Sequence, residues 1–161
     1  MDAVEKIIQQ WKTEGITADL SPMELLGRMA RLNALTGKVL ENNFAKFGLT
    51  RWEFDVLATL RRSGAPFCLS PTKLFDALMV TSGTMTNRLA QLEKKGLVKR
   101  LHDSSDKRSL PVQLTEKGLE LVNKCLTAHI KEEARITAGL SAHEKETLNN
   151  ILKKFEAGLP E

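Results

Sequence analysis

The residues of this chain best suited to chemistry are polar side chains that recognise rather than make bonds. Between Ser82 and Gln91 small and amide-bearing residues recur at helical spacing. Ser82 and Gly83 permit close backbone approach, with their amides aimed at a phosphate. Thr84 and Thr86 flank that face, and Asn87 and Gln91 carry amides that can read base edges, adenine most naturally. Lys107 and Arg108 follow in a polar turn, where an arginine beside Asp106 suits a narrow A·T-rich minor groove. Asn and Gln on a helix are otherwise ordinary solvated residues, and such a turn can equally be exposed with an incidental ion pair. The structural context has to decide.

A second set has a different character. Asp55 sits among Phe54, Val56 and Leu57 on a segment apolar nearly all round. A buried carboxylate without a partner is costly. Arg88 lies about 60° from Met85 on a helical wheel, beside the Met85, Leu89 and Leu92 stripe rather than opposite it. Arg88 is therefore placed to reach back into its own lobe, and the sequence predicts an Asp55–Arg88 ion pair.

Other chemistries lack their residues. The three histidines, His102, His129 and His143, stand 27 and 14 residues apart, without metal-ligand spacing. No glycine-rich phosphate loop or nucleophile motif is present, so no catalytic residue, cofactor or metal is expected. Cys68 and Cys125 form neither a disulfide framework nor a zinc cluster. Buried structural thiols are the default for both, and a thiol-based redox sensor is the alternative. The N-terminus lacks the features of a secretory signal and no apolar run is long enough to span a membrane, so a soluble, cytoplasmic protein is expected.

Charge points the same way as the polar residues. Of 161 residues, 24 are basic and 20 acidic. Between Gly48 and Thr115 stand 11 Lys and Arg against 6 Asp and Glu, leaving 13 basic and 14 acidic residues elsewhere. The surplus is central, as expected if only that part meets a polyanion, though a solvated charged face would look alike.

These residues need elements to hold them. The spacing of Val4, Ile7, Ile8 and Trp11 predicts a short helix from Asp2 to about Glu14. Ser21-Pro22 reads as a cap followed by proline at the first helical position, opening a long helix that ends near Gly48. Thr50-Arg51-Trp52-Glu53 has capping-box form and starts a third helix. Ser70-Pro71 opens a short one, and Thr81 or Ser82 another that runs to Lys95 before Gly96. Two strands follow, Leu97–His102 and Ser109–Leu114, the second marked as an edge by Pro111. Thr115 caps a long helix to about Ala138, and Ser141 to Glu144 caps the last.

Two short helices across a tight turn, then a two-stranded hairpin, make a winged helix-turn-helix. The fold class is thus mainly α with a small β-hairpin wing. Residues 48–114 form the DNA-binding lobe between helices at 1–47 and 115–161. Those flanking helices are too long and apolar for one small domain to cover, which favours an intertwined homodimer scaffold over a larger monomeric bundle. A helical interaction protein that binds no DNA is a further alternative.

The run Thr81-Ser82-Gly83-Thr84-Met85-Thr86-Asn87-Arg88-Leu89, with Leu92-Glu93-Lys94-Lys95-Gly96-Leu97-Val98, resembles the recognition helix and following strand of MarR-type transcriptional regulators. Asp106-Lys107-Arg108-Ser109 and Val112 to Gly118 resemble that family's wing and the start of its next long helix. A narrower resemblance, to the urate-responsive PecS- and HucR-like subgroup, rests on Trp11, Ser21-Pro22-Met23, Glu53 to Leu57 and Arg61 to Pro66. The resemblance implies a repressor that binds a pseudo-palindromic operator in double-stranded DNA as a homodimer. It also implies release by a small planar anionic effector such as urate or a phenolic acid. In that subgroup a tryptophan, an aspartate and an arginine line a ligand cleft, and Trp11, Asp55 and Arg88 stand at the matching motif positions. Ser63 stands where some members have an asparagine.

Overall fold

A computed structural model describes residues 1–78, 85–101 and 110–160, without the side chains of residues 85 and 86. Helix α1 spans Ala3–Thr13 and is opened by Asp2, whose carboxylate accepts the N–H groups of Val4 and Glu5 in a capping box. The Glu5 amide and the Arg28 guanidinium pull the Asp2 carboxyl down to about 2. Arg28 on α2 (Ser21–Ala45) pairs with Asp2 and, at 3.5 Å, with Glu5, which ties α1 to α2, while Glu24 of α2 holds the same guanidinium at 2.9 Å. Beneath these charges Val4, Ile8 and Leu20 form a small apolar cluster. Ser21 is not the cap its sequence predicts. It is the first helical residue, and its N–H and hydroxyl both donate to Asp19 at 2.9 Å, while Leu20 occupies the cap position without a side-chain bond.

The other start signals act as their chemistry requires. Thr50 and Glu53 cap α3 (Arg51–Arg62) reciprocally, and Ser70 caps α4 (Pro71–Ala77). Thr115 opens α6 (Glu116–Ile136), and Ser141 with Glu144 opens α7 (Ala142–Glu156). Helix α5 is described over Met85–Lys94, and its predicted beginning at Thr81 or Ser82 lies outside the described residues.

The sheet corrects the sequence reading. Besides β2 (Val98–Arg100) and β3 (Val112–Leu114) it contains β1 (Cys68–Leu69), in the antiparallel order β1-β3-β2. Cys68 pairs with Gln113 and Leu69 with Val112, so β3 is central rather than an edge. Pro111 is tolerated because it precedes β3 and offers only its carbonyl, which accepts the Leu101 N–H at 3.0 Å. Two residues of strand leave no alternation to read, so β1 has no legible pattern.

One core runs through the lobe and into the long helix behind it. Phe44 of α2, Phe54, Leu57 and Leu60 of α3, Leu74 of α4 and Leu89 and Leu92 of α5 pack with Val98, Val112, Val122 and Cys125. Each fully buried side chain of this kind contributes about 1.5–3 kcal/mol, so the lobe is rigid enough to present a surface. The α6 backbone approaches the turn after α5 so closely that a Cβ on Gly118 would lie 2.0 Å from the Leu97 carbonyl oxygen. By contrast, Leu25, Leu26, Leu32 and Leu35 of α2 and Ile151 and Leu152 of α7 stand exposed. A helix face that apolar is normally covered by another element.

Candidate nucleic-acid interface and effector cleft

Helix α5 divides its sides as the sequence predicts. Leu89 and Leu92 are buried, and Asn87, Gln91 and Lys94 are exposed on the side away from them. The side chains of Asn87 and Gln91 therefore stand at the surface. Ser82, Gly83, Thr84, Lys107 and Arg108 lie outside the described residues, as does the side chain of Thr86.

Behind α5 opens a cleft of about 1320 Å³. Its walls come from four helices: Asn33, Glu41 and Ala45 of α2, Trp52, Asp55 and Thr59 of α3, Arg88 of α5, and Leu126, His129 and Glu133 of α6. Trp52, Asp55 and Thr59 recur at three- and four-residue intervals and so share one face of α3. Four arginines (Arg51, Arg61, Arg62 and Arg88) line the cleft against three acids (Glu41, Asp55 and Glu133). Its inner wall is aromatic: the His129 ring lies 5.2 Å from that of Phe44 and 4.9 Å from that of Phe54. Nε2 of His129 is 3.1 Å from Glu133, while its Nδ1 is buried without a partner among the described residues.

Asp55 and Arg88 both reach this cleft, but the predicted ion pair does not form. The Arg88 guanidinium instead lies over the Trp52 ring, 5.3 Å from its centroid. Such a stack is worth about 0.5–1 kcal/mol where exposed and more when desolvated. Among the described residues no hydrogen bond or ion pair reaches the Asp55 carboxylate. Burial pushes its pKa up, and the fields of Arg51, His129 and Arg62 only partly offset this. Its place beside the apolar stripe turns Arg88 inward as expected, but an indole face one helical turn before Asp55 takes the guanidinium in place of the carboxylate.

The other two predicted ligand residues are not brought to the cleft within one chain. Trp11 is 45% exposed near the end of α1. Because Val4 packs near Gly27, α1 runs back along the start of α2, which carries Trp11 away from the cleft. Thirteen residues of helix, about 20 Å, separate Leu20 from Asn33, the nearest cleft residue of α2. Ser63 follows the end of α3, and its hydroxyl donates to the Leu60 carbonyl at 2.7 Å. Sequence reasoning did not select Arg51, Arg62, His129 or Glu133. The i,i+4 spacing of His129 and Glu133 was available, but only packing shows that it faces α3.

Neither thiol is set up as a thiolate. Cys125 is fully buried, and burial pushes its pKa up to about 11; the half-buried Cys68 is shifted the same way. A redox sensor needs the opposite environment. No described helix is long and apolar enough to cross a membrane.

A short helix, an exposed polar face on the helix after it, and a small antiparallel sheet define a winged helix-turn-helix regulator of transcription. Residues 49–110 match the MarR family. The chain is 38% identical over 156 residues to the HTH-type transcriptional regulator PecS of Dickeya dadantii, spanning 97% of this chain and 94% of that one. Among solved structures it resembles a cysteine mutant of E. coli MarR complexed with operator DNA. That likeness has a TM-score of 0.72 and 30% identity, covering 89% of this chain and 100% of the other. It shares the fold of a MarR-like regulator from Bacillus cereus with a TM-score of 0.78 at 22% identity, over 88% of this chain and 100% of that one. The chain belongs to the MarR family of transcriptional regulators, in its PecS-like branch. It is accordingly not an enzyme.

Proposed function

We propose that this protein is a repressor that binds a pseudo-palindromic operator as a homodimer and lets go when a small planar anion enters the cleft. The observation that carries the reading is the position of Arg88. It sits on the helix whose other side exposes Asn87 and Gln91, yet its guanidinium points into the cleft and rests on Trp52. One helix thus touches both candidate sites.

In this reading residues 48–114 read DNA, with Ser82 and Gly83 at the phosphates, Thr84 and Thr86 flanking, Asn87 and Gln91 at base edges, and Lys107 and Arg108 in a neighbouring minor groove. Residues 1–47 and 115–161 form the scaffold. The exposed leucines of α2 and the apolar residues of α7 support a second copy as their cover. Two recognition helices would then stand about one duplex turn, roughly 34 Å, apart. Because Trp11 lies toward the far end of α2 from its own cleft, it takes part in ligand binding as a residue of the dimer, reaching the cleft of the other copy. A regulator of this kind works in the compartment that holds the DNA, which supports a cytoplasmic location.

The chemistry of the cleft supports urate or a phenolic acid as the effector class. A planar anion gains a cationic partner in Arg88 and an aromatic face in Trp52. Asp55 lies on the same wall, and burial raises its pKa. The effector acts only through its difference in affinity for the two arrangements of Arg88.

Two measurements test this. Binding to a selected inverted repeat should weaken by about a thousandfold or more between 50 and 200 mM salt, and a flat profile contradicts phosphate-driven docking. With urate and salicylate as probes, Arg88→Ala should retain DNA binding but lose ligand-induced release. Unchanged release disposes of the Arg88 route.

A further inference from the structure

The turn that follows the recognition helix, Lys95-Gly96-Leu97, is held from two sides. On one side Lys95 Nζ donates to Glu53 Oε1 at 2.6 Å and to the Gly48 carbonyl at 3.3 Å. Glu53 is 2% exposed, and its second oxygen accepts the Thr50 N–H at 2.8 Å and the Thr50 hydroxyl at 3.1 Å. On the other side the first turn of α6 closes in. Lys117 Nζ donates to the Lys95 carbonyl at 2.9 Å, the Thr115 hydroxyl to that of Gly96 at 2.7 Å, and the Thr115 N–H to that of Leu97 at 3.1 Å. Both clamps belong to helices that wall the cleft, α3 and α6.

Arg88 stands seven residues before Lys95, about two turns along α5 and on the same side. The recognition helix therefore meets α3 at two points of unequal strength. Glu53–Lys95 joins a buried carboxylate, both of whose oxygens are satisfied, to a lysine whose side chain is 45% exposed. Arg88–Trp52 is a stack that lines the cleft and is open to competition.

We propose that Glu53 and Lys95 are positioning residues for DNA recognition: they pin the C-terminal end of α5, so that movement at Arg88 becomes rotation about Lys95. The inference rests on the DNA-binding reading above and concerns how that reading is regulated. Asn87 lies eight residues from the pivot, about 12 Å along the helix. A rotation of about 10° over that arm displaces it by about 2 Å, enough to break a base-edge hydrogen bond. A free C-terminal end would let the helix slide or tilt instead, and the spacing between the two helices of a dimer would be loosely defined.

Spacing is therefore the readout. Using full-length protein and an inverted repeat selected with it, affinity is measured for the best half-site spacing and for spacings altered by one and two base pairs. Glu53→Gln keeps the shape and leaves Lys95 free for DNA, while Lys95→Met removes the cation and Lys95→Arg restores it. We expect Glu53→Gln and Lys95→Met to shrink the wild-type discrimination by about tenfold, equivalent to about 1.4 kcal/mol, and Lys95→Arg to recover most of it. Val122→Ala, in the same core but making no polar bond to the turn, controls for lost stability and should keep the discrimination. If Glu53→Gln folds and retains the wild-type spacing preference, the pivot is wrong, whatever its overall affinity. A wild type that binds no inverted repeat overturns the DNA-binding reading itself and the pivot with it.

Discussion

Gly118 offers the sharpest test of how the lobe is joined to its scaffold. Replacing it with Ala in an ordinary helix stabilises by about 1 kcal/mol, because glycine has the greater freedom to lose. Here the new Cβ would meet the Leu97 carbonyl oxygen at 2.0 Å and its carbonyl carbon at 2.9 Å, while real Cβ contacts stay beyond 3.0 Å. The obstacle is backbone, so either α6 or the turn after α5 must retreat by about 1 Å or more. Such a retreat strains the Thr115 N–H bond to Leu97 and the Thr115 hydroxyl bond to Gly96, each worth about 0.5–1.5 kcal/mol. Core strain adds about 1–3 kcal/mol. After subtracting the propensity gain, Gly118→Ala should lose about 1–5 kcal/mol. At about 2–4 °C per kcal/mol for a chain of this size, its Tm should fall by about 2–20 °C. Thermal unfolding at one fixed protein concentration measures this, since the midpoint of a dimer moves with concentration. A Tm equal to or above that of the wild type would show that α6 accommodates the methyl group and that the weld at Leu97 is not close-packed.

Other outcomes follow from the same contacts. Asp55→Asn should raise stability at neutral pH, because the folded state holds an acid whose pKa is raised by burial. The gain should vanish in acid, below the unfolded value of 3.8, where both states carry the proton; denaturant curves at two pH values check the sign. Glu53 has the opposite linkage. Burial pushes its pKa up, but the hydrogen bonds from Lys95 and Thr50 outweigh that and leave it lowered. Its contribution is present above the unfolded value of 4.5 and lost as pH falls through the folded one, so Glu53→Gln should flatten the acid limb of the stability profile. Cys125→Ser places a hydroxyl in a fully buried apolar site and should cost about 1–3 kcal/mol in a denaturant titration. Peroxide should not release DNA from the wild type, and release that disappears in Cys68→Ser would reverse the assignment of Cys68 as structural.

Much of this architecture is written in local chemistry. Thr50 with Glu53 and Ser141 with Glu144 are capping boxes whose bonds form within four residues, so the chain shows them before it folds. The burial of Leu89 and Leu92 opposite Asn87 and Gln91 likewise depends only on helical period. The signal failed where two local choices compete. Ser21 could cap α2 or serve Asp19, and only the backbone conformation selected the second.

The sequence by itself determined which segments are helices, which faces of them are apolar, and that the middle of the chain carries the surplus positive charge, because these follow from composition and periodicity. Only the tertiary structure decided that β1 makes β3 central, that Arg88 rests on Trp52 instead of Asp55, and that His129 faces α3. Those are contacts between residues as much as 75 apart in the chain, such as Phe54 and His129. Their partners are chosen by packing and desolvation in three dimensions, which a one-dimensional pattern of residue types does not encode.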